Sequence, residues 1–163
     1  MSIYNLPSNS KIWIYTAKRD FTKEEEVLVT NLLSEFVATW QSHGMPVVGA
    51  FEILKNRFII IVADEQSSPS GCSIDSSVAA IRKVEVELNI GLLERGTLSY
   101  VKNEGIETIA FDAIKPAILS GEISLNTLIF NNNIDQLAQL QSQWQVMASD
   151  SWLNRMFAKT KTV

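Results

Sequence analysis

The chain has 163 residues, a length that suits one domain or one domain with a small appendage. With 46% hydrophobic residues and four tryptophans it carries ample material for a core, which argues against wholesale disorder. Its formal charge of −4 lacks the basic excess of a general nucleic-acid binder, and its single cysteine excludes an internal disulfide.

The sequence also gives an expectation for localisation. Its first ten residues lack the apolar run of a signal peptide, and the longest apolar run, Phe58–Ala63, is too short to span a bilayer. We therefore expect a cytoplasmic protein that binds neither membrane nor nucleic acid.

The first half of the chain alternates strand and helix patterns. Lys11–Ala17 is β-branched and aromatic, which predicts an interior strand. Thr22-Lys-Glu-Glu25 is a capping box, and the helical spacing that follows predicts a helix to about His43, ended by Gly44. Three further elements are predicted: strands over Val47–Leu54 and Phe58–Ala63, the second of them central, and a helix over Ser73–Leu88.

A strand over Thr97–Lys102 completes the order β-α-β-β-α-β, and a hairpin turn and a strand over Ile106–Phe111 follow it. That is the order of the ferredoxin-like fold. We therefore predict an α+β protein with a ferredoxin-like core and an antiparallel sheet over residues 1–102. Residues 103–163 are predicted to form a C-terminal extension packed on the core. Its predicted elements are a helix over Asp112–Ser120, a strand over Thr127–Phe130, and helices over Asn133–Gln143 and Ser151–Phe157.

Cys72 is the sharpest candidate for chemistry. It falls at the predicted start of the second helix, where the helix dipole and free N–H groups favour a thiolate. The structural alternative is a small packing residue at a tight turn, with Ser73 or Asp75 as the helix cap. We favour this alternative, because free cysteines are usually packing residues.

His43 is the only histidine, so a cysteine–histidine pair would have to use it. In the ferredoxin-like arrangement, His43, Asp64, Cys72 and Asp75 would lie at one end of the sheet. Such a cluster would form a nucleophile system, with Cys72 attacking, His43 as base, and Asp64 or Asp75 orienting the ring. The alternative is that His43, which shares the apolar face of the first helix, is a packed or capping residue.

No metal or cofactor is expected. The chain has no paired Cys/His spacing of the kind that binds zinc. It also lacks the glycine motifs that bind ATP or dinucleotides.

The C-terminal third offers a candidate binding surface formed by Asn132, Trp144 and Trp152. Aromatic side chains flanked by polar groups are typical of interfaces. The alternative is a mixed core in which Asn133 and Asp150 cap helices.

Four segments carry a resemblance to a known family, namely Trp13-Ile-Tyr, Phe51-Glu-Ile, Ser70-Gly-Cys-Ser-Ile-Asp75 and Asp150-Ser-Trp. With them, nearly the whole chain resembles one small, uncharacterised bacterial protein family whose members are often labelled "ABC transporter ATPase". The label implies ATP hydrolysis on a Walker motif. Because this sequence has no such motif, the resemblance implies membership without ATPase activity.

A second, more local resemblance lies between Tyr100 and Trp144. Leu119-Ser-Gly-Glu-Ile123, Thr127–Phe130 and the later Trp144 are similar to GYF-type modules, which end in a similar helix, glycine and strand. Those modules bind proline-rich peptides through an aromatic signature that is not evident in this sequence. The resemblance implies a local architecture for this part of the chain.

We expect a protein-interaction or scaffold role for the chain, as a partner of another protein or of itself. The contact would use an uncovered sheet face or the tryptophan-bearing C-terminal third. The alternative is a small cysteine-dependent hydrolase or acyl-transfer enzyme that uses Cys72 with His43.

Overall fold

The structure is a computed structural model that describes residues 2–64 and 72–161, without the side chains at positions 72–74, 160 and 161. The chain forms two compact units. The first comprises Met1–Glu94 with Asp135–Ala138, and the second comprises Arg95–Ile134 with Gln139–Val163. Each unit combines helices with an antiparallel sheet, so the α+β prediction is confirmed.

The first unit is built on a three-stranded antiparallel sheet in the order β1-β5-β4. Its elements are β1 (Lys11–Thr16), α1 (Lys23–Thr39), β2 (Gln41–Ser42), β3 (Met45–Pro46), β4 (Val48–Leu54), β5 (Phe58–Asp64) and α2 (Cys72–Leu88). β5 is central, as its continuous apolar sequence predicts. Every residue of β5 from Phe58 to Ala63 is fully buried.

Both faces of this sheet are covered along β5. On one face, Ile59 and Ile61 pack in a core that includes Val29 of α1 and Ile81 of α2. Ile60 and its neighbours on the opposite face are equally buried, and a 3₁₀ turn near the N-terminus packs against β4. The uncovered sheet face that we expected as a docking surface is therefore not available along β5.

The start of α1 matches its sequence signal. The Thr22 hydroxyl accepts the Glu25 N–H at 3.1 Å, and the Glu25 carboxylate accepts the Thr22 N–H at 2.9 Å. These two bonds are the predicted capping box. Arg19 donates two further bonds, of 2.8 and 2.9 Å, to the same carboxylate.

The predicted end of α1 at about His43 is wrong. The helix ends at Thr39, and Trp40 turns the backbone into an extended conformation. β2 and β3 then form a hairpin whose two turn residues, His43 and Gly44, have φ of 53° and 76°. Positive φ at both central residues is typical of a tight two-residue hairpin, so Gly44 serves this turn and not a helix cap.

Trp40 ends the helix because its side chain is held in the core. Its exposed fraction is 3%, and its ring lies 4.7 Å from that of Phe36, centroid to centroid. A Cβ built on Gly49 of β4 would lie only 2.5 Å from Cζ3 of the indole. The close approach therefore requires glycine at position 49.

The second unit contains a four-stranded antiparallel sheet in the order β7-β6-β8-β9. Its elements are β6 (Thr97–Lys102), β7 (Gly105–Ala110), α3 (Ile114–Leu119), β8 (Leu128–Phe130), α4 (Leu137–Ser142), whose first two residues belong to the first unit, β9 (Gln145–Met147) and α5 (Asn154–Lys161). Its core includes Tyr100 and Ile129 from the sheet, Ile114 from α3 and Phe157 from α5.

The ferredoxin-like part of the fold prediction is not confirmed. β6, its expected last strand, pairs with β7 and β8 in the second unit, and the predicted boundary after Lys102 falls within that hairpin. The fourth strand of a ferredoxin-like sheet would lie beside β1. Here the free edge of β1 instead meets residues 135–136, since Lys11 bridges to Gln136 and the Ile12 N–H donates to Asp135 O at 3.1 Å.

Within the described residues, no helix combines the length and apolar character needed to cross a membrane.

Gly49→Ala tests the contact with Trp40. The added methyl group overlaps the rigid, buried indole, so we expect a loss of roughly 1–3 kcal/mol in the free energy of unfolding, measured by urea denaturation. Gly91→Ala is the matched control, because the nearest atom to its added Cβ is 4.0 Å away. Equal stability of the two variants would contradict the close approach.

Glu25→Gln tests the electrostatics of the α1 start. Hydrogen bonding from Arg19, and then from Thr22, lowers the pKa of Glu25 from 4.5 to about 2. A lowered folded-state pKa stabilises the protein above pH 4.5, and this stabilisation is lost as the pH falls towards 2.

We therefore expect the wild type to exceed Glu25→Gln in unfolding free energy by at most about 1 kcal/mol above pH 4.5, and the difference to shrink towards pH 2. Glutamine keeps a capping acceptor but does not titrate. Glu24→Gln removes a neighbouring charge as the control. A difference that stays constant over this range would contradict the assignment.

Candidate functional site

The structure places three of the predicted catalytic positions at one end of the first sheet. Asp64 ends β5 opposite Val48, the first residue of β4, and the hairpin that carries His43 immediately precedes β4. The β2 strand of that hairpin packs beside α2, whose first turn contains Asp75. The chain therefore brings these elements to a common edge.

Among the described residues at this end of the sheet, none holds the His43 ring in a fixed orientation. His43 is exposed at the hairpin tip and has no hydrogen-bond partner in the part of the chain that the structure describes. Neither Asp64 nor Asp75 therefore orients its ring, as a nucleophile system requires. Cys72 is the first residue of α2, and its side chain lies outside the described residues.

No group of three or more His, Cys, Asp or Glu side chains within the described ranges is arranged to hold a metal ion.

Tyr100 and Lys102 of β6 form a polar cluster with Glu122, and the pKa values of these three groups are shifted away from 7. Burial, and then a hydrogen bond with Glu122, raises the pKa of Tyr100 well above its ordinary value. Hydrogen bonding from Lys102, and then from Tyr100, lowers the pKa of Glu122. These contacts tie β6 to the segment after α3.

Two of the three predicted binding residues are structural. Trp144 is 3% exposed, and its indole N–H donates to Asn132 Oδ1 at 2.9 Å. Its ring also packs on Phe130, with centroids 5.0 Å apart. Trp144 therefore has its apolar body buried and its polar edge satisfied within the second unit.

Trp152, the third predicted binding residue, is on the surface. It is 41% exposed and meets Phe111, itself 51% exposed, edge to face with centroids 5.6 Å apart. Two large aromatic rings that touch each other and both remain accessible form a compact apolar patch. We call Phe111 and Trp152 the aromatic pair.

Local hydrogen bonds fix the backbone on both sides of the aromatic pair. The Phe111 N–H donates to Gly96 O at 2.9 Å, where Gly96 has a φ of +79°. Before Trp152, the Ser151 hydroxyl donates to Ala148 O at 2.8 Å and accepts the Leu153 N–H at 3.1 Å. Both residues of the pair thus stand next to turns held by hydrogen bonds.

Sequence reasoning missed Phe111. Its pattern placed it as the last residue of a strand, whereas β7 ends at Ala110 and a 3₁₀ turn over Phe111–Ala113 follows. The sequence Asp112-Ala-Ile after Phe111 fits the start of a helix as well as the end of a strand, so it did not reveal the 3₁₀ turn.

No protein-family model matches the chain, and no curated protein sequence or solved structure is significantly similar to it.

Asn132→Ala tests the structural role of the Trp144 contact. Removing Oδ1 leaves a buried indole N–H without its acceptor, so we expect a loss of about 1–3 kcal/mol in unfolding free energy by urea denaturation. The exposed Asn126 provides the control Asn126→Ala, for which we expect a change within about 0.5 kcal/mol. A neutral Asn132→Ala would show that Asn132 does not support the tryptophan.

Proposed function

We propose that the chain is a protein-interaction protein whose second unit binds an extended, proline-containing segment of a partner through the aromatic pair. The observation that carries this proposal is the exposure of Phe111 and Trp152 in mutual contact on the surface. Aromatic side chains are enriched at protein–protein interfaces and among the residues that contribute most to binding.

The chemistry of the aromatic pair favours proline. Edge-to-face rings offer two apolar surfaces at an angle, against which the rigid ring of a proline can pack. A proline-rich segment is already extended before binding and so loses little conformational entropy, and aromatic-lined surfaces are the usual docking sites of such segments.

The local resemblance to GYF-type modules concerns the architecture of this part of the chain and not its ligand, because their aromatic signature is not evident in this sequence. Their similarity to this chain lies between Tyr100 and Trp144, in the second unit. Phe111 lies within that stretch but outside the residues that carry the resemblance, and Trp152 lies beyond it. The proposal therefore rests on the exposure of the aromatic pair.

The cysteine-dependent enzyme is the weaker proposal. It needs a base held in position, and His43 is exposed and unoriented within the described part of the chain. The interaction role needs only the accessible pair that is present in the second unit.

Binding of a fluorescein-labelled decaproline peptide to the full chain tests the proposal, with fluorescence anisotropy as the measurement. Trp152→Ala and Phe111→Ala should each weaken binding roughly 5- to 30-fold, because truncation of an aromatic anchor costs about 1–2 kcal/mol. Both side chains are already partly exposed, so neither change should lower thermal stability strongly.

Leu119→Ala is the matched control, because Leu119 is 67% exposed in the same unit and is not part of the aromatic pair. A Gly-Ser peptide of equal length controls for non-specific binding. Failure of decaproline to bind, or equal losses for Leu119→Ala and Trp152→Ala, would reject the proposal. Loss of self-association in Trp152→Ala by sedimentation velocity, without decaproline binding, would assign the pair to a dimer contact instead.

A further inference from the structure

A groove of about 490 Å³ lies between α1 and α2 in the first unit. The groove is open to solvent, so a ligand bound in it would stay partly exposed. Leu32 and Phe36 line it from α1, and the small side chains of Ala79 and Ala80 line it from α2. The groove thus has an apolar floor, with space where α2 carries no large residue.

Two opposite charges stand on the opposing walls. Glu35 belongs to α1 and Lys83 to α2, and both are exposed. Among the residues that the structure describes, neither takes part in a salt bridge. Both charges therefore remain available to a ligand.

A buried donor without an acceptor lies at one end of the groove. Trp40 lines the groove, is 3% exposed, and has an indole N–H with no hydrogen-bond partner in the described residues. The Cε3–Cζ3 edge of the ring lies against Gly49, so the opposite edge, which carries the N–H, faces away from β4. A buried polar group left unpaired costs stability, and a ligand that supplied an acceptor would recover it.

The charge of the first unit narrows the class of ligand. That unit has eight lysines and arginines against thirteen aspartates and glutamates, a formal charge of −5. A simple anion would be repelled by this field, although Lys83 could pair with it. A cation would pair with Glu35 but leave Lys83 unpaired, whereas a ligand with one positive and one negative end complements both side chains.

We infer that the groove between α1 and α2 binds a short zwitterionic peptide with apolar side chains. Its ammonium end pairs with Glu35, its carboxylate pairs with Lys83, and its side chains lie on Leu32 and Phe36. A peptide carbonyl accepts the Trp40 N–H, which has no partner among the described residues. This inference concerns the first unit and does not depend on the aromatic pair.

Titration of the full ¹⁵N-labelled chain with the dipeptide Leu-Leu tests the inference by NMR. The Trp40 indole N–H signal, assigned with Trp40→Phe, should move downfield as it gains an acceptor. We expect a dissociation constant on the order of 0.1–1 mM, as the usual ligand efficiency of a molecule of this size gives. Free leucine, which lacks the peptide carbonyl, should bind at least about fivefold more weakly.

Capping the dipeptide identifies the charged partners. N-acetylation or C-terminal amidation should each weaken binding roughly 2- to 5-fold, the range for a solvent-exposed ion pair. Glu35→Gln should abolish the effect of acetylation only, and Lys83→Gln the effect of amidation only. This crosswise pattern is not produced by a general loss of stability.

A substitution that fills the groove tests the inference independently. Ala79→Leu should weaken Leu-Leu binding more than about tenfold, since it places a side chain in the space for the ligand. Ala38→Leu adds the same side chain at an exposed position of α1 that does not line the groove, and should leave affinity unchanged.

The inference is overturned if Leu-Leu causes no shift of the Trp40 signal at about 10 mM, well above the expected dissociation constant. It is also overturned if Ala79→Leu binds like Ala38→Leu, if capping has no effect, or if free leucine binds as tightly as the dipeptide. Whether or not decaproline binds to the aromatic pair does not affect these outcomes.

Discussion

Burial of β5 on both faces is the constraint on which the first unit depends. Its side chains from Phe58 to Ala63 are fully buried, and its backbone pairs with β1 on one side and β4 on the other. Covering these apolar side chains stabilises the fold by on the order of 10 kcal/mol before the entropic cost of ordering the chain. Such a strand needs a layer on each face, which accounts for α1 and α2 on one side and the buried Ile3 turn at the other.

The end of α1 follows from the same packing. With α1 lying on the sheet, the large Trp40 indole fits above β4 only because Gly49 has no side chain. The ring then stops the helix at Thr39, and the chain leaves through the β2–β3 hairpin to enter β4. The tryptophan that fixes this exit also lines the end of the groove between the helices. A packing requirement of the fold and the lining of the groove thus share one side chain.

Local signals in the sequence predicted what local interactions determine. The capping box at Thr22, the apolar run of β5 and the β6–β7 hairpin depend on neighbouring residues, and all three are confirmed. The end of α1 depends on a contact between helix and strand, and the sheet that β6 joins depends on pairings across distant parts of the chain. The spacing of apolar residues along the sequence could therefore predict neither the end of α1 nor the sheet that β6 joins. The same holds for the tryptophans, because the acceptor and the burial of Trp144 come from residues packed around it, whereas the ring of Trp152 is 41% exposed.

The aromatic pair and the groove differ in the physics they would use, and so in their response to salt. Phe111 and Trp152 offer dispersion and apolar burial, which rising ionic strength does not weaken. Glu35 and Lys83 stand at the surface, where added salt screens each charge within about 8–10 Å. Screening also reduces the repulsion that the acidic first unit exerts on anions. Higher salt should therefore lower the affinity of the groove for a zwitterion. It should also reduce the difference in affinity between a zwitterion and an anion, because that difference comes from the electrostatic field of the unit and not from the apolar floor.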